Sequence, residues 1–237
     1  MPPTLLAIDT ATDLCSVALA LGDRVLERSE TVGQRHSERI LPMVQALLHE
    51  EGLHLADCDA VAFGAGPGAF TGLRIACGVA QGLAFGIGRP VVAIGNLAAL
   101  ALVAGSAAPG VRTVLAAIDA RMQEIYWATY SIDGVAVAER SAPALAAVAQ
   151  FPEICRRQKP ALVAGNALRA FPSLMADVGT AAAPDACAGA GAIATLAVRK
   201  FIEGGATAAA LAAPIYVRDR VALTIDERRA GRTAARH

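Results

Sequence analysis

Leu5-Leu6-Ala7-Ile8-Asp9-Thr10 and Val114-Leu115-Ala116-Ala117-Ile118-Asp119-Ala120 are two versions of one phrase. Each is an apolar run too short for a helix that stops at an aspartate, the pattern of a buried strand ending in a turn. After the first, Cys15 to Leu21 and Val25 to Ser29 are further apolar or alternating runs separated by A-T-D and G-D, which predicts a three-strand meander. Glu139-Arg140-Ser141 closes the second meander as Glu27-Arg28-Ser29 closes the first, 20 and 18 residues beyond the respective aspartates. The repeated order of strands and helices argues for a duplicated α/β unit, two similar lobes whose mixed sheets are flanked by helices.

Between the two phrases the spacing changes to that of helices. Ile40, Val44, Leu47 and Leu48 predict a helix from about Arg39 to Glu50, with Ser37 near its N-cap and Pro42 in its first turn. Ala60 to Phe63 reads as a buried strand, G-A-G-P-G-A as a loop, Thr71 to Gly86 as a helix and Val91 to Ile94 as a strand. Asn96 is expected to cap a helix reaching about Val103, and G-S-A-A-P-G at 105–110 to link the lobes. A last helix, Ala192 to Ile202, precedes P-I-Y-V-R. The expected domains are 1–106, 107–217 and a basic tail, 218–237, with six arginines against three acids, expected to be disordered. Two such lobes facing each other across a cleft constitute the actin-like ATPase (ASKHA, ribonuclease H-like) architecture.

Composition excludes several function classes. The chain has 237 residues, 55% hydrophobic and 18% charged, with a mean hydropathy of +0.47, so a membrane span has to be considered. The longest apolar candidate, Leu73 to Val92, is interrupted by Arg74, Gln81, Arg89 and Pro90. The N-terminus lacks a basic region and meets Asp9 early, so a cytoplasmic protein with no membrane association is expected. Five cysteines, no two closer than 19 residues, suggest neither a disulfide framework nor a CxxC site. Net charge is zero, so the chain as a whole makes no strong electrostatic claim on nucleic acid.

Four motifs bear on chemistry. The loop Gly64 to Arg74, G-A-G-P-G-A-F-T-G-L-R, joins strand to helix, where free amides can hold an anion, or where glycines let strand and helix pack closely. It has neither P-loop spacing nor a lysine, the first lysine being Lys159. The helix after it carries two faces: Gly72, Ala76, Val79, Leu83 and Gly86 toward the core, and Arg74, Gly78, Gln81, Gly82 and Phe85 opposite. Two glycines in a helix interior cost about 1 kcal/mol each against alanine, which points to close packing, by a partner helix in preference to cover from the same chain. Asp9, Thr10 and Thr12 sit where an actin-like ATPase presents carboxylate and hydroxyls to magnesium and phosphate, although an Asx turn accounts for the same residues. At the second aspartate, Arg121-Met122 replaces the glycine and hydroxyl such a hairpin requires. His49 and His54 are five apart, about 140° round a helix, which defeats a zincin reading, and His36 reads as a capping or interface residue.

I-D-T-A-T, R-H-S-E-R-I-L-P, G-A-G-P-G-A-F-T-G-L-R-I-A, A-I-G-N-L-A-A-L-A, A-I-D-A-R-M-Q-E-I-Y and A-G-N-A together resemble the TsaB (YeaZ) family over about 165 residues from Leu5. The resemblance implies an actin-like fold and a non-catalytic subunit that works with TsaD, its catalytic paralogue, and TsaE, an ATPase. Their product is N6-threonylcarbamoyladenosine at position 37 of tRNAs reading codons that begin with adenine. TsaD binds its metal through an H-x-x-x-H pair; Asn96 and Leu100 stand in those places here, and neither replaces imidazole at a metal. The expectations are therefore no catalytic residue, no metal and no cofactor in the isolated chain, with a nucleotide only at the assembled interface. Partner contacts are expected at His36, Arg39, Arg74, Gly78, Gln81, Gly82 and Phe85, with an acidic partner group or a role outside the helix compensating Arg74 near its helix N-terminus. The tail is read either as a weak, salt-dependent tRNA contact or as a solvated terminus with no role, and the sequence leaves open whether the isolated chain forms a homodimer. The competing readings are a small-molecule kinase or ATPase of the actin-like superfamily and a metallopeptidase.

Overall fold

A computed structural model describes residues 2–218, and the basic tail expected at 218–237 lies, Arg218 apart, outside the described residues. The first half forms strands β1 (Thr4–Asp9), β2 (Leu14–Leu21), β3 (Arg24–Thr31), β4 (Ala60–Gly66) and β5 (Val91–Gly95). Helices α1 (His36–Glu50), α2 (Phe70–Gly86) and α3 (Asn96–Ala107) connect and follow them. The second half contains β6 (Thr113–Asp119), β7 (Glu124–Asp133), β8 (Ala136–Ala147), β9 (Leu162–Ala164) and β10 (Ala181–Ala183), with α4 (Phe151–Gln158), α5 (Ala167–Ala170), α6 (Leu174–Asp177) and α7 (Ala190–Ile202).

The sheets are ordered β3-β2-β1-β4-β5 and β8-β7-β6-β9-β10, the same topology twice. In each an antiparallel meander continues into parallel strands, and Asp9 and Asp119 end the equivalent strands β1 and β6. This is the duplicated, two-lobed arrangement, mixed sheets flanked by helices, that the repeated phrase implies.

Burial follows the two-residue period of a strand covered on both sides. Leu5 and Ala7 of β1, with Ala18 and Ala20 of β2, face inward to a central core shared with α3 and α7. Leu6, Ile8, Val17 and Leu19 face outward to α1 and α2. A third core, around Leu115, Trp127, Phe151 and Leu168, lies on the outer side of the second sheet. The inner face of the first sheet is alanine-rich, which brings its covering helix close, and it accounts for high hydropathy without a membrane span. No helix among the described residues is long and apolar enough to cross a membrane.

The two central helices are exchanged. α7, from the second half, covers β1 to β5, whereas α3, from the first half, packs chiefly on β6 to β9. Gly189 and Gly191 leave room for the Glu27 carboxylate at the start of α7, a favourable place for negative charge, and Ser16 Oγ accepts the Ala190 amide at 2.8 Å.

Several local expectations change. α1 begins at His36 rather than Arg39, and its N-cap, Arg35, makes no side-chain cap, so Ser37 lies inside the first turn and Pro42 inside the helix. α3 runs on to Ala107, with Gly105 fitted against Ile132, so the connection is shorter than the 105–110 linker read from composition. Arg24–Glu51, Arg28–Glu50 and Arg39–Glu30 pairs tie α1 to the edge strand β3, exposed contacts of small individual weight.

Candidate functional site

Two features stand out: the cleft between the lobes and the outer face of α2. The cleft encloses about 630 Å³ and is lined from the first lobe by the Asp9 turn, the glycine loop and Asn96. From the second lobe it is lined by Asp119 to Met122, Tyr126, Asn166 and Cys187.

The Asp9 turn is locked into its own chain. Asp9 is 1% exposed, and its Oδ1 accepts the Asn96 side-chain amide at 3.0 Å and the Ala11 amide at 3.2 Å. Asn96 Oδ1 in turn accepts the Gly66 amide at 2.7 Å. Asn96 therefore does not cap α3, as its position suggested; it is the first residue of the helix and clamps β1 to β4. Leu100, one turn on, is core. Burial pushes the Asp9 carboxyl up to about 6, with the Asn96 and backbone hydrogen bonds opposing.

Most of the nearby polar groups are engaged within the chain. Thr10 Oγ1 donates to the Gly72 carbonyl at 2.7 Å, Thr12 Oγ1 accepts the Leu14 amide at 3.2 Å, and the Ala69 amide donates to the Ala11 carbonyl at 2.8 Å. The loop glycines are explained by contact. A Cβ on Gly64 would stand 2.2 Å from Asp9 Oδ1, one on Gly68 2.8 Å from Ala11, and one on Gly72 1.9 Å from the Thr10 carbonyl oxygen. Gly68 and Gly72 let the loop and the start of α2 press on the backbone of the turn, and Gly64 in β4 makes room for the Asp9 carboxylate, the packing alternative of the two the sequence left open. In the second lobe Asn166 Oδ1 accepts the Asp119 amide at 2.9 Å, and Arg121, Met122 and Gln123 all take left-handed backbone, φ 63°, 56° and 60°. Among the described residues no cluster of three or more His, Cys, Asp or Glu side chains is arranged to hold a metal.

The outer face of α2 is different in kind. Among the described residues nothing stands within 4 Å of where a Cβ on Gly78, Gly82 or Gly86 would lie, and Phe85 is 74% exposed. The buried side is Leu73, Ala76, Cys77, Ala80 and Ala84, so the core stripe is rotated from the one read in the sequence: Val79 and Leu83 are half-buried and Gly86 is exposed. The expected contact residues are divided. Gly78, Gly82 and Phe85 lie free on this face, and Gln81 donates to the Ala209 carbonyl at 3.1 Å. Arg74 has no acidic partner among the described residues; its guanidinium stacks on Phe70, 3.9 Å from the ring centroid, and its Nε donates to Tyr216 at 3.1 Å. Arg39 pairs with Glu30 at 2.7 Å. His36 is buried, its Nε2 2.8 Å from the Thr12 carbonyl, and so holds the Asp9 turn rather than facing outward.

Sequence reasoning missed Tyr216 and Arg218, which reach the cleft from the segment after α7, and Asn166. The polar and aromatic residues of P-I-Y-V-R were the available signal.

A family model described as "TsaD: tRNA N6-adenosine threonylcarbamoyltransferase" matches residues 26–222. The tRNA threonylcarbamoyladenosine biosynthesis protein TsaB of Escherichia coli (strain K12) is 39% identical over 234 residues, covering 92% of this chain and 96% of that protein. The protein of the same name from Haemophilus influenzae is 49% identical over 124 residues, 52% of each chain. The solved structure of YeaZ from Pseudomonas aeruginosa is similar with a TM-score of 0.77 at 36% identity, covering 90% of this chain and 99% of that one.

Proposed function

The chain belongs to the TsaB (YeaZ) family of tRNA threonylcarbamoyladenosine biosynthesis proteins, and from that premise we propose that it is the non-catalytic subunit that docks a TsaD paralogue through the outer face of α2. The observation that carries this reading is the open stripe of Gly78, Gly82 and Gly86 beside an exposed Phe85. A row of glycines lets a second helix approach closely, and Phe85 adds apolar area to be buried when it does. In the proposed assembly TsaD transfers the threonylcarbamoyl group to adenosine 37 of tRNA, TsaE supplies ATPase activity, and a nucleotide belongs to the assembled interface. In this reading the isolated chain brings no metal of its own, which is supported by the commitment of Asn96 to the Asp9 clamp and of Leu100 to the core.

Calorimetry with purified TsaD, alongside thermal melting of the free chain, tests this. Gly78→Leu and Gly82→Leu each weaken TsaD binding by a few kcal/mol, by analogy with overpacking in a core, and leave the free chain's melting temperature equal or higher. Wild-type affinity in both variants would remove this face as the docking surface. The kinase or ATPase alternative draws on the cleft itself, and steady ATP turnover by the pure chain, lost in Asp9→Ala, would favour it.

A further inference from the structure

The segment after α7 crosses the molecule and lines the cleft from Ile215 to Arg218. Thr207 pairs with Val91 at the edge of the first sheet, and the Ala209–Leu211 turn lies on α2, anchored by Gln81. The Ile215 amide donates to the Ala65 carbonyl at 2.7 Å, at the end of β4, and Tyr216 packs on Phe70 with ring centroids 5.7 Å apart. Two residues later the chain reaches the other lobe. Arg218 Nη2 donates to the Ala120 carbonyl at 3.0 Å and pairs with Glu124, Nη1 lies 3.3 Å from Met122 Sδ, and the guanidinium stands 6.0 Å from the Tyr126 ring centroid.

Arg218 thus grips both ends of the turn whose three central residues, Arg121 to Gln123, sit in left-handed backbone without a glycine. Such a run is held only where surrounding contacts over-determine it. Ile215 and Tyr216 are each nearly half exposed, so the attachment narrows to the Ile215 amide and the Arg218 side chain, which is 13% exposed. An element tied by few contacts opens locally well before the whole protein unfolds.

We propose that residues 214–218 form an intramolecular latch that spans the two lobes, closes the mouth of the cleft and holds the 121–123 turn in its left-handed form. Releasing the latch opens the cleft and lets that turn relax. The cysteines separate local from global opening, since Cys187 is exposed at the cleft and the other four are buried.

The test is hydrogen exchange by mass spectrometry together with thiol labelling, on the full-length wild type and on Tyr216→Ala and Arg218→Ala. In the wild type the Ile215 amide is protected. Loss of the charge-assisted bonds of Arg218 raises exchange in peptides covering 119–124 and 10–13 by about tenfold. Exchange in α1 and labelling of the four buried cysteines stay at wild-type rates. Free-peptide exchange at Ile215 in the wild type would overturn the latch, as would unchanged cleft peptides in the variants. A uniform rise that includes α1 and the buried cysteines would also overturn it, by showing that these contacts belong to the global core.

Discussion

Replacing Asp9 with asparagine removes a charge from a site that holds it poorly. The folded carboxyl titrates near 6 because it is buried, against 3.8 when free. With the folded value raised, the native state binds the proton more tightly than the unfolded chain between those limits, so stability is full below about pH 4. It falls as pH rises through the window and is flat above about pH 6.5. A tenfold difference in proton affinity between the two states is worth about 1.4 kcal/mol, which sets the cost of the ionised form near 3 kcal/mol at neutral pH, of which about 2 develops between pH 4 and pH 7.5. Asparagine keeps an oxygen where Asn96 and Ala11 donate, and it does not titrate. Whatever fixed cost its amide nitrogen carries is the same at both pH values. The stability of Asp9→Asn relative to wild type therefore rises by about 2 kcal/mol between pH 4 and pH 7.5, equivalent to roughly 4–8 °C in relative melting temperature for a chain of this size. Urea titrations of both proteins at the two pH values measure it. A difference independent of pH, or one that moves the other way, would refute the description of Asp9 as a buried carboxylate without a compensating cation.

Gly72→Ala destabilises by about 2–3 kcal/mol, because its Cβ meets the Thr10 carbonyl oxygen and backbone has to move, and a chemical melt reads the loss. Gly82→Ala, on the open face of the same helix, stabilises the free chain by about 0.5–1 kcal/mol in the same assay; a loss there would mean that the face is already covered. Ser16→Ala costs about 1–2 kcal/mol, since the buried Ala190 amide loses its acceptor at the start of α7, and an effect below about 0.3 kcal/mol would show that the Glu27 carboxylate suffices there.

The strands that carry the duplicated aspartates were legible because a buried strand with a polar terminus leaves a local signature. The same holds for α1, α2 and α7, whose apolar spacing repeats over several turns. The second lobe's α5, α6, β9 and β10 were not legible, being three or four residues each and too short to show a period. The Asn96 clamp was invisible for another reason. At the start of a helix an asparagine looks like a cap, and only tertiary structure shows its amide between Asp9 and Gly66, residues 87 and 30 positions away. His36 was misplaced by the same kind of ambiguity, because a histidine near a helix start gives no sign of which side its ring takes. The exposed face of α2 was foreseen through its glycines, although the neighbours of Arg74 and Gln81 were not, since both come from the segment beyond α7.

The exchange of α3 and α7 also bears on how the chain is made. The last strand of the first sheet ends at Gly95, but the helix that covers most of its inner face begins at Ala190, 95 residues later. At a translation rate of about 5–20 residues per second, that face waits on the order of 5–20 s on the ribosome before its cover is synthesised. During that interval a surface rich in alanine, with Leu5 and Val92 among its residues, is open to solvent and to other nascent chains. The first half is therefore not a unit that finishes early, and the lobes reach their native packing together, once the second has supplied the missing helix.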